Sequence, residues 1–174
     1  MFRRLVAAAL AGLALFAAPL AAGARDSAWP VYSNSEFGFS VQLPGKPELE
    51  RFSQPINGDP AEHLYVKYDL GGDSGMLIMV AKFASGIPDP VAGLKGAADG
   101  VENSAKGRVT SRTSVEVGGV PAVLIVAQPQ GDYVVADLII VRNDTLYQVM
   151  CIGHGALPKE TDAFQKSFTF LTAP

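Results

Sequence analysis

Apolar and polar positions alternate along most of this chain, and the period changes in only two places. "FSVQL", Phe39–Leu43, alternates and stops at Pro44-Gly45, the pattern of a half-buried strand ended by a turn. Residues 48–54 read as a second strand before the loop "PINGDP". In "HLYVKYDL", Leu64, Val66, Tyr68 and Leu70 share one face, while His63, Tyr65, Lys67 and Asp69 share the other. That second face reads as solvated. "MLIMVAKF" is almost continuously apolar, as expected of a strand covered on both sides. Residues 25–36 read as an irregular start that Trp29 and Tyr32 pin to the body.

The first change of period comes at residue 90. Val91, Leu94, Ala98, Val101 and Ala105 recur at three and four residues, one face of a helix. Asp89 suits the N-cap, Pro90 the first turn, and Gly107 the stop. Gly93, Gly96 and Gly100 cost this helix about 0.8–1 kcal/mol each relative to Ala, so it needs a sheet to pack on. Strands follow at 109–117, 120–127, 133–142 and 145–153. "LPKETDAFQKSF" then reads as a short closing helix and "FTFL" as an extended piece. Many strands in antiparallel succession with two helices predict an α+β domain, a meander sheet flanked by helices. The alternative is an all-β barrel or sandwich, which the helical period over 90–106 argues against.

The N-terminal segment reads as an address rather than as structure. Arg3-Arg4 precede an apolar run from Leu5 to Ala18, and Ala22-Gly23-Ala24 fits a small-x-small cleavage pattern. We therefore expect residues 1–24 to be a cleaved signal peptide and 25–174 a single domain, periplasmic or secreted from a bacterium. The run is short of the roughly 20 residues a membrane span needs, so no stable insertion is expected after cleavage. Without Arg3 and Arg4 the chain has 12 basic residues against 17 acidic ones, a formal charge of −5. That balance, with no cluster of cations, argues against nucleic acid as a partner. One cysteine cannot form an internal disulfide.

Candidate chemistry is concentrated in "VRNDTLYQVMCIGHG", which holds the single cysteine and one of the two histidines. Asn143-Asp144 between apolar runs predicts a two-residue hairpin turn. (Asn143-Asp144-Thr145 also matches a glycosylation sequon, which the turn accounts for.) That turn would pair Arg142 with Thr145, Ile140 with Tyr147, Leu138 with Val149 and Ala136 with Cys151. Cys151 then lies on an almost wholly apolar face and His154 on the opposite one. Three residues of strand span roughly 10 Å, and an odd spacing reverses the side chain. Neither a shared metal ion nor a nucleophile–base pair fits that geometry unless Gly153 allows a bulge before His154. A buried structural cysteine is the favoured reading.

The opposite face carries Tyr133, Asp137, Gln148 and His154 among apolar neighbours, the one candidate ligand face in the sequence. Asp137 would stand across from Met150 and diagonal to Gln148, and His154 across from Tyr133. For Asp137 the plainer reading is a carboxyl bonded to Gln148 or facing water. "LGGDSG" and "VEVGGV" lack the Lys-Ser/Thr of a phosphate loop and read as turns. No catalytic, metal or cofactor motif appears, and no cofactor is expected.

"FGFSVQLPGKPE", "VGGVPA", "TLYQVMCIG" and "FQKSFTFL" resemble exported bacterial proteins of the PsbP-like superfamily, which includes DcrB-like envelope proteins. The resemblance implies an α/β/α sandwich and a non-enzymatic binding or accessory role. It brings no catalytic residue with it, and the chain lacks the lipid-attachment cysteine of the DcrB-like lipoproteins. Two functions stay open. The favoured one is an exported accessory or binding protein of the cell envelope, acting on an envelope protein or a small ligand. The alternative is a periplasmic hydrolase whose site spacing does not reveal, such as Asp137 with His154.

Overall fold

The structure is a computed structural model that describes residues 29–171 apart from 107 and 130. The expected cut after Ala24 and the helix stop at Gly107 lie outside the described residues. Among the described residues ten strands form two open sheets with two helices, the α+β arrangement the alternation predicts, and no barrel closes. The larger sheet runs in the order β3 (Glu48–Ser53), β4 (Ala61–Gly71), β5 (Ser74–Phe83), β9 (Thr145–His154), β8 (Tyr133–Arg142), β7 (Val120–Ala127) and β6 (Val109–Val117). Every pair in it is antiparallel. The smaller sheet sets β2 (Phe39–Gln42) between β1 (Val31–Asn34) and β10 (Thr169–Phe170).

Turn chemistry fixes the hairpins. Gly118 and Gly119 both take positive φ, at 56° and 78°, and close the β6–β7 loop with Val117 paired to Val120. Asn143, at φ 55°, turns β8 into β9, and Arg142 pairs with Thr145 as the sequence predicts. The register then runs without a shift to Tyr133 opposite His154. Residues 31–34 do not match the irregular start expected of them. They form β1 because β2 offers an edge, and Asn34 Oδ1 accepts from Phe37 N at 3.0 Å to hold the connecting turn.

One face of the large sheet lies under the small sheet and helix α2 (Thr161–Ser167). Val66, Ile78, Tyr147, Val149 and Cys151 meet Phe39, Val41, Phe164 and Phe168 there. Phe39 stacks on Phe168 at 5.5 Å, and Tyr147 Oη donates to the Phe37 carbonyl at 2.7 Å. Gln165 anchors α2 by donating to the carbonyls of Ala136 and Val149 at 3.2 and 2.9 Å. A Cβ added at Gly153 would land on the Ala156 carbonyl oxygen, so only glycine lets the segment before α2 turn back this close to β9.

The other face carries helix α1 (Pro90–Ser104). Asp89 caps it, accepting from the backbone N–H groups of Val91 and Ala92 at 3.0 Å each, with Pro90 in the first turn. Leu94, Ala97, Ala98, Val101 and Ala105 pack on Val123, Ile125, Ile139 and Val141. Val91 does not join them. It is 73% exposed. Lys106, at φ 52°, takes the left-handed position after the last turn. Among the described residues no helix is long and apolar enough to cross a membrane.

Candidate functional site

The α1 face divides into two halves along Asp137. Its cross-strand neighbour on β7 is Ile125, which α1 covers, and its neighbour on β9 is Met150. Met150 belongs with Tyr65, Leu77 and Met79 to a separate apolar group, flanked by Phe52 and Val135, that contains no helix residue. Helix α1 packs on β7 and β8. The residues of that group are buried on β4, β5 and β9; Phe52 meets Tyr65 edge-on at 5.0 Å, and Lys67 Nζ lies 5.9 Å from the Tyr65 ring centre.

Asp137 is buried at this seam, 1% exposed. Gln148 Nε2 donates to its Oδ2 at 2.7 Å, the bond that strand register predicts. Oδ1 has no hydrogen-bond partner among the described residues. Burial pushes the carboxyl up to about 7 from an ordinary 3.8, against the opposing pull of the Gln148 amide. An orphaned buried carboxyl oxygen is costly in a folded protein and asks for a donor.

The four residues of the candidate face separate into two pairs. Asp137 and Gln148 lie buried at the seam. Tyr133 and His154 face each other at the end of the hairpin, their rings edge-to-face at 5.4 Å, with His154 exposed. Asp137 and His154 share the face as the register requires, but Met150, opposite Asp137, is four residues from His154 along β9. Four residues of strand span about 13 Å, too far for a direct hydrogen bond between the two side chains.

The polar stripe on β4 differs from the solvated face its alternation suggests. His63 and Tyr65 are buried, and only Lys67 and Asp69 reach water. The cause is β3: Phe52 pairs with His63 and lies flat against its ring at 4.7 Å, while His63 Nε2 bonds the Gln54 carbonyl at 2.9 Å. Burial, helped by nearby Glu50, pushes the Tyr65 hydroxyl up to about 12.

Cys151 points to the small-sheet side, paired with Ala136 and packed among the apolar residues of that core. Burial pushes its thiol up to about 11, only partly offset by a hydrogen bond with Thr161. With no register shift before His154, cysteine and histidine stay on opposite faces. Among the described residues no three His, Cys, Asp or Glu side chains gather as metal ligands would.

No protein-family model and no curated protein matches the chain. Solved structures do. The solution structure of the cyanobacterial PsbP (CyanoP) of Synechocystis sp. PCC 6803 superposes with a TM-score of 0.54 at 8% identity, over 87% of this chain and 98% of that one. A Bacteroides thetaiotaomicron protein matches with a TM-score of 0.48 at 13% identity, over 84% of this chain and 50% of its own. A Pseudomonas aeruginosa protein of unknown function, PA94, gives 0.42 at 18% identity, over 85% and 99%. The first of these supports a PsbP-like fold. At such identity the likeness concerns architecture alone.

Proposed function

We propose that this chain is an exported, non-enzymatic binding or accessory protein of the bacterial cell envelope, akin to the DcrB-like proteins and released after Ala24. The observation that carries the binding role is the Asp137 seam: a buried carboxyl with one oxygen unpartnered among the described residues, beside a buried apolar cluster that contains no helix residue. Its single side-chain partner is an amide, Gln148, which orients a carboxyl but moves no proton. Apolar floor and one convergent polar group make the ordinary composition of a ligand site. Export rests on the Arg3-Arg4, apolar run and Ala22-Gly23-Ala24 sequence.

Fractionation of the native host, with intact-mass analysis, tests export: the mature form should begin at Arg25 and be found in the periplasm. A full-length chain retained in the inner membrane refutes it. Affinity capture from envelope extracts tests the binding role. The wild-type protein should retain a partner or ligand that Asp137→Asn loses.

A further inference from the structure

The two outer strands of the large sheet, β3 and β6, are guarded unequally. An open edge presents N–H and C=O groups that another strand can take, and charges or prolines usually blunt it. β3 is six residues long, lies between Pro47 and Pro55, and carries Glu48, Glu50 and Arg51. Arg51 bonds Glu36 at 2.5 Å, and its guanidinium lies 5.6 Å from the Phe37 ring centre, which ties this edge to the turn after β1. β6 runs nine residues without proline, and Thr110 to Ser114 are all exposed. Helix α1 packs further in, on β7 and β8.

The turn of the β6–β7 hairpin decides which groups face outward. Val117 and Val120 flank the two-residue Gly118-Gly119 loop and so exchange backbone bonds, and alternation turns Val115, Thr113 and Ser111 toward β7 as well. Arg112, Ser114 and Glu116 therefore point their N–H and C=O groups away from the sheet, with no backbone partner among the described residues. The regular stretch ends at the register shift between Val109 and Ser111 on one side and at Gly118 on the other, with Ser114 at its centre. Reversed end to end about Ser114, it sets Arg112 against Glu116. Other registers of the outward residues set Arg112 against serine, against itself or past the end of the strand, so charge selects this one. Arg112 gives Nη1 to both Asp99 and Glu102, at 3.1 and 3.0 Å, which leaves its other N–H groups for a further acceptor. Glu116 is exposed and makes no ion pair among the described residues.

We propose that β6 is a self-association edge: two copies of this chain pair β6 with β6, antiparallel about a twofold axis at Ser114, and their large sheets become one. The pairing closes about six backbone hydrogen bonds, two at Ser114 and two at each Arg112–Glu116 step. Opposite charges directly across the strands add to it on the α1 side. On the other side Thr113 meets Val115 of the second copy, and Ser111 meets Val117. A twofold contact must be self-complementary, as this stretch is. A contact made by one strand a side is smaller than the roughly 800 Å² per side of a stable interface, so the dimer is weak, with a Kd of about 10 µM to 1 mM. The inference stands apart from the Asp137 seam, and neither depends on the other.

Sedimentation equilibrium of the protein purified as its host makes it, from about 10 µM to 1 mM, should show monomer and dimer in exchange. Ser114→Pro removes an outward N–H and should abolish the dimer, since proline is tolerated on an edge that faces solvent. Glu116→Arg sets like charges across the axis and should weaken association at least about tenfold, as should Arg112→Glu. Mixed together, these two variants restore both ion pairs, and the mixture should associate about as well as the wild type. Register is read separately. With oxidised glutathione, Ser114→Cys should link two chains by a disulfide, because bonded cross-strand residues stand about 5.5 Å apart. Glu116→Cys should not, its own copy being about 13 Å off along the strand. If Arg112→Glu fails to fold, Ser114→Pro and the two cysteine variants still decide. A protein that is monomeric at about 1 mM, or a dimer that survives both Ser114→Pro and Glu116→Arg, overturns the proposal. A monomer that loses an envelope partner through Ser114→Pro gives the edge to a foreign strand and overturns the second copy as its occupant.

Discussion

Gln148 Nε2 donates to Oδ2 of Asp137 at 2.7 Å, and Oδ1 of the same carboxyl has no partner among the described residues. The pair joins β9 to β8 diagonally, one step from the direct partner Met150. Half of the carboxyl's hydrogen-bonding capacity is thus met inside the protein and half is not.

The first consequence is a pH dependence of stability. A carboxyl raised to about 7 when folded, from 3.8 when unfolded, binds more protons in the folded state between those values. Its contribution is therefore complete below about pH 4 and is lost as the pH rises to 7. Three units amount to on the order of 4 kcal/mol. Asp137→Asn, which cannot ionise, should gain on the wild type by up to that amount between pH 4 and pH 8. Urea denaturation at several pH values measures it. A constant difference would show that the carboxyl titrates normally.

Gln148→Leu should act in the same sense but as a loss. Removing the donor leaves both oxygens unpaired and makes ionisation harder still. The variant should lose about 1 kcal/mol at pH 5, where the carboxyl is protonated, and nearer 3 kcal/mol at pH 8. Equal losses at the two pH values would mean that the amide serves packing alone.

Cys151 should be inert in the folded protein. It has no exposed surface, and its thiol is pushed up to about 11. Only the thiolate reacts, so labelling should wait for global opening and run at least about a thousandfold slower than in denaturant. Fast labelling of the native protein at pH 7.5 would put the residue elsewhere.

Two glycine-to-alanine changes should have opposite signs. At Gly153 the new methyl would strike the Ala156 carbonyl, displacing the run into α2 at a cost of about 2–3 kcal/mol. Gly96 sits exposed in α1 with nothing within 4 Å of the added carbon, so alanine there should stabilise by about 0.5–1 kcal/mol. Thermal melts of both variants decide it.

What the sequence made legible was local. Asn143-Asp144 fixed the β8–β9 register, and with it the faces of Cys151, Asp137 and His154, because a two-residue turn leaves no freedom in pairing. Asp89 and Pro90 marked the start of α1 for an equally local reason. Hidden were the features made by distant contacts. Residues 31–34 become a strand only beside β2, and His63 is dry only because Phe52 covers it. Asp137 is a seam residue because it lies between the cluster that α1 joins and one that contains no helix residue, a placement its own neighbours in sequence do not encode.

The small sheet joins residues that are far apart along the chain. Ser40 Oγ and Thr169 Oγ1 meet at 2.9 Å across 129 residues, and Phe39 lies between Tyr32 and Phe168. Contacts of such sequence separation raise the contact order, which slows folding toward milliseconds or longer. The core beneath β2 therefore cannot close before the segment that carries Phe168 and Phe170 joins it. Until Phe168 and Phe170 are in place, the apolar side of β2 has no lasting cover.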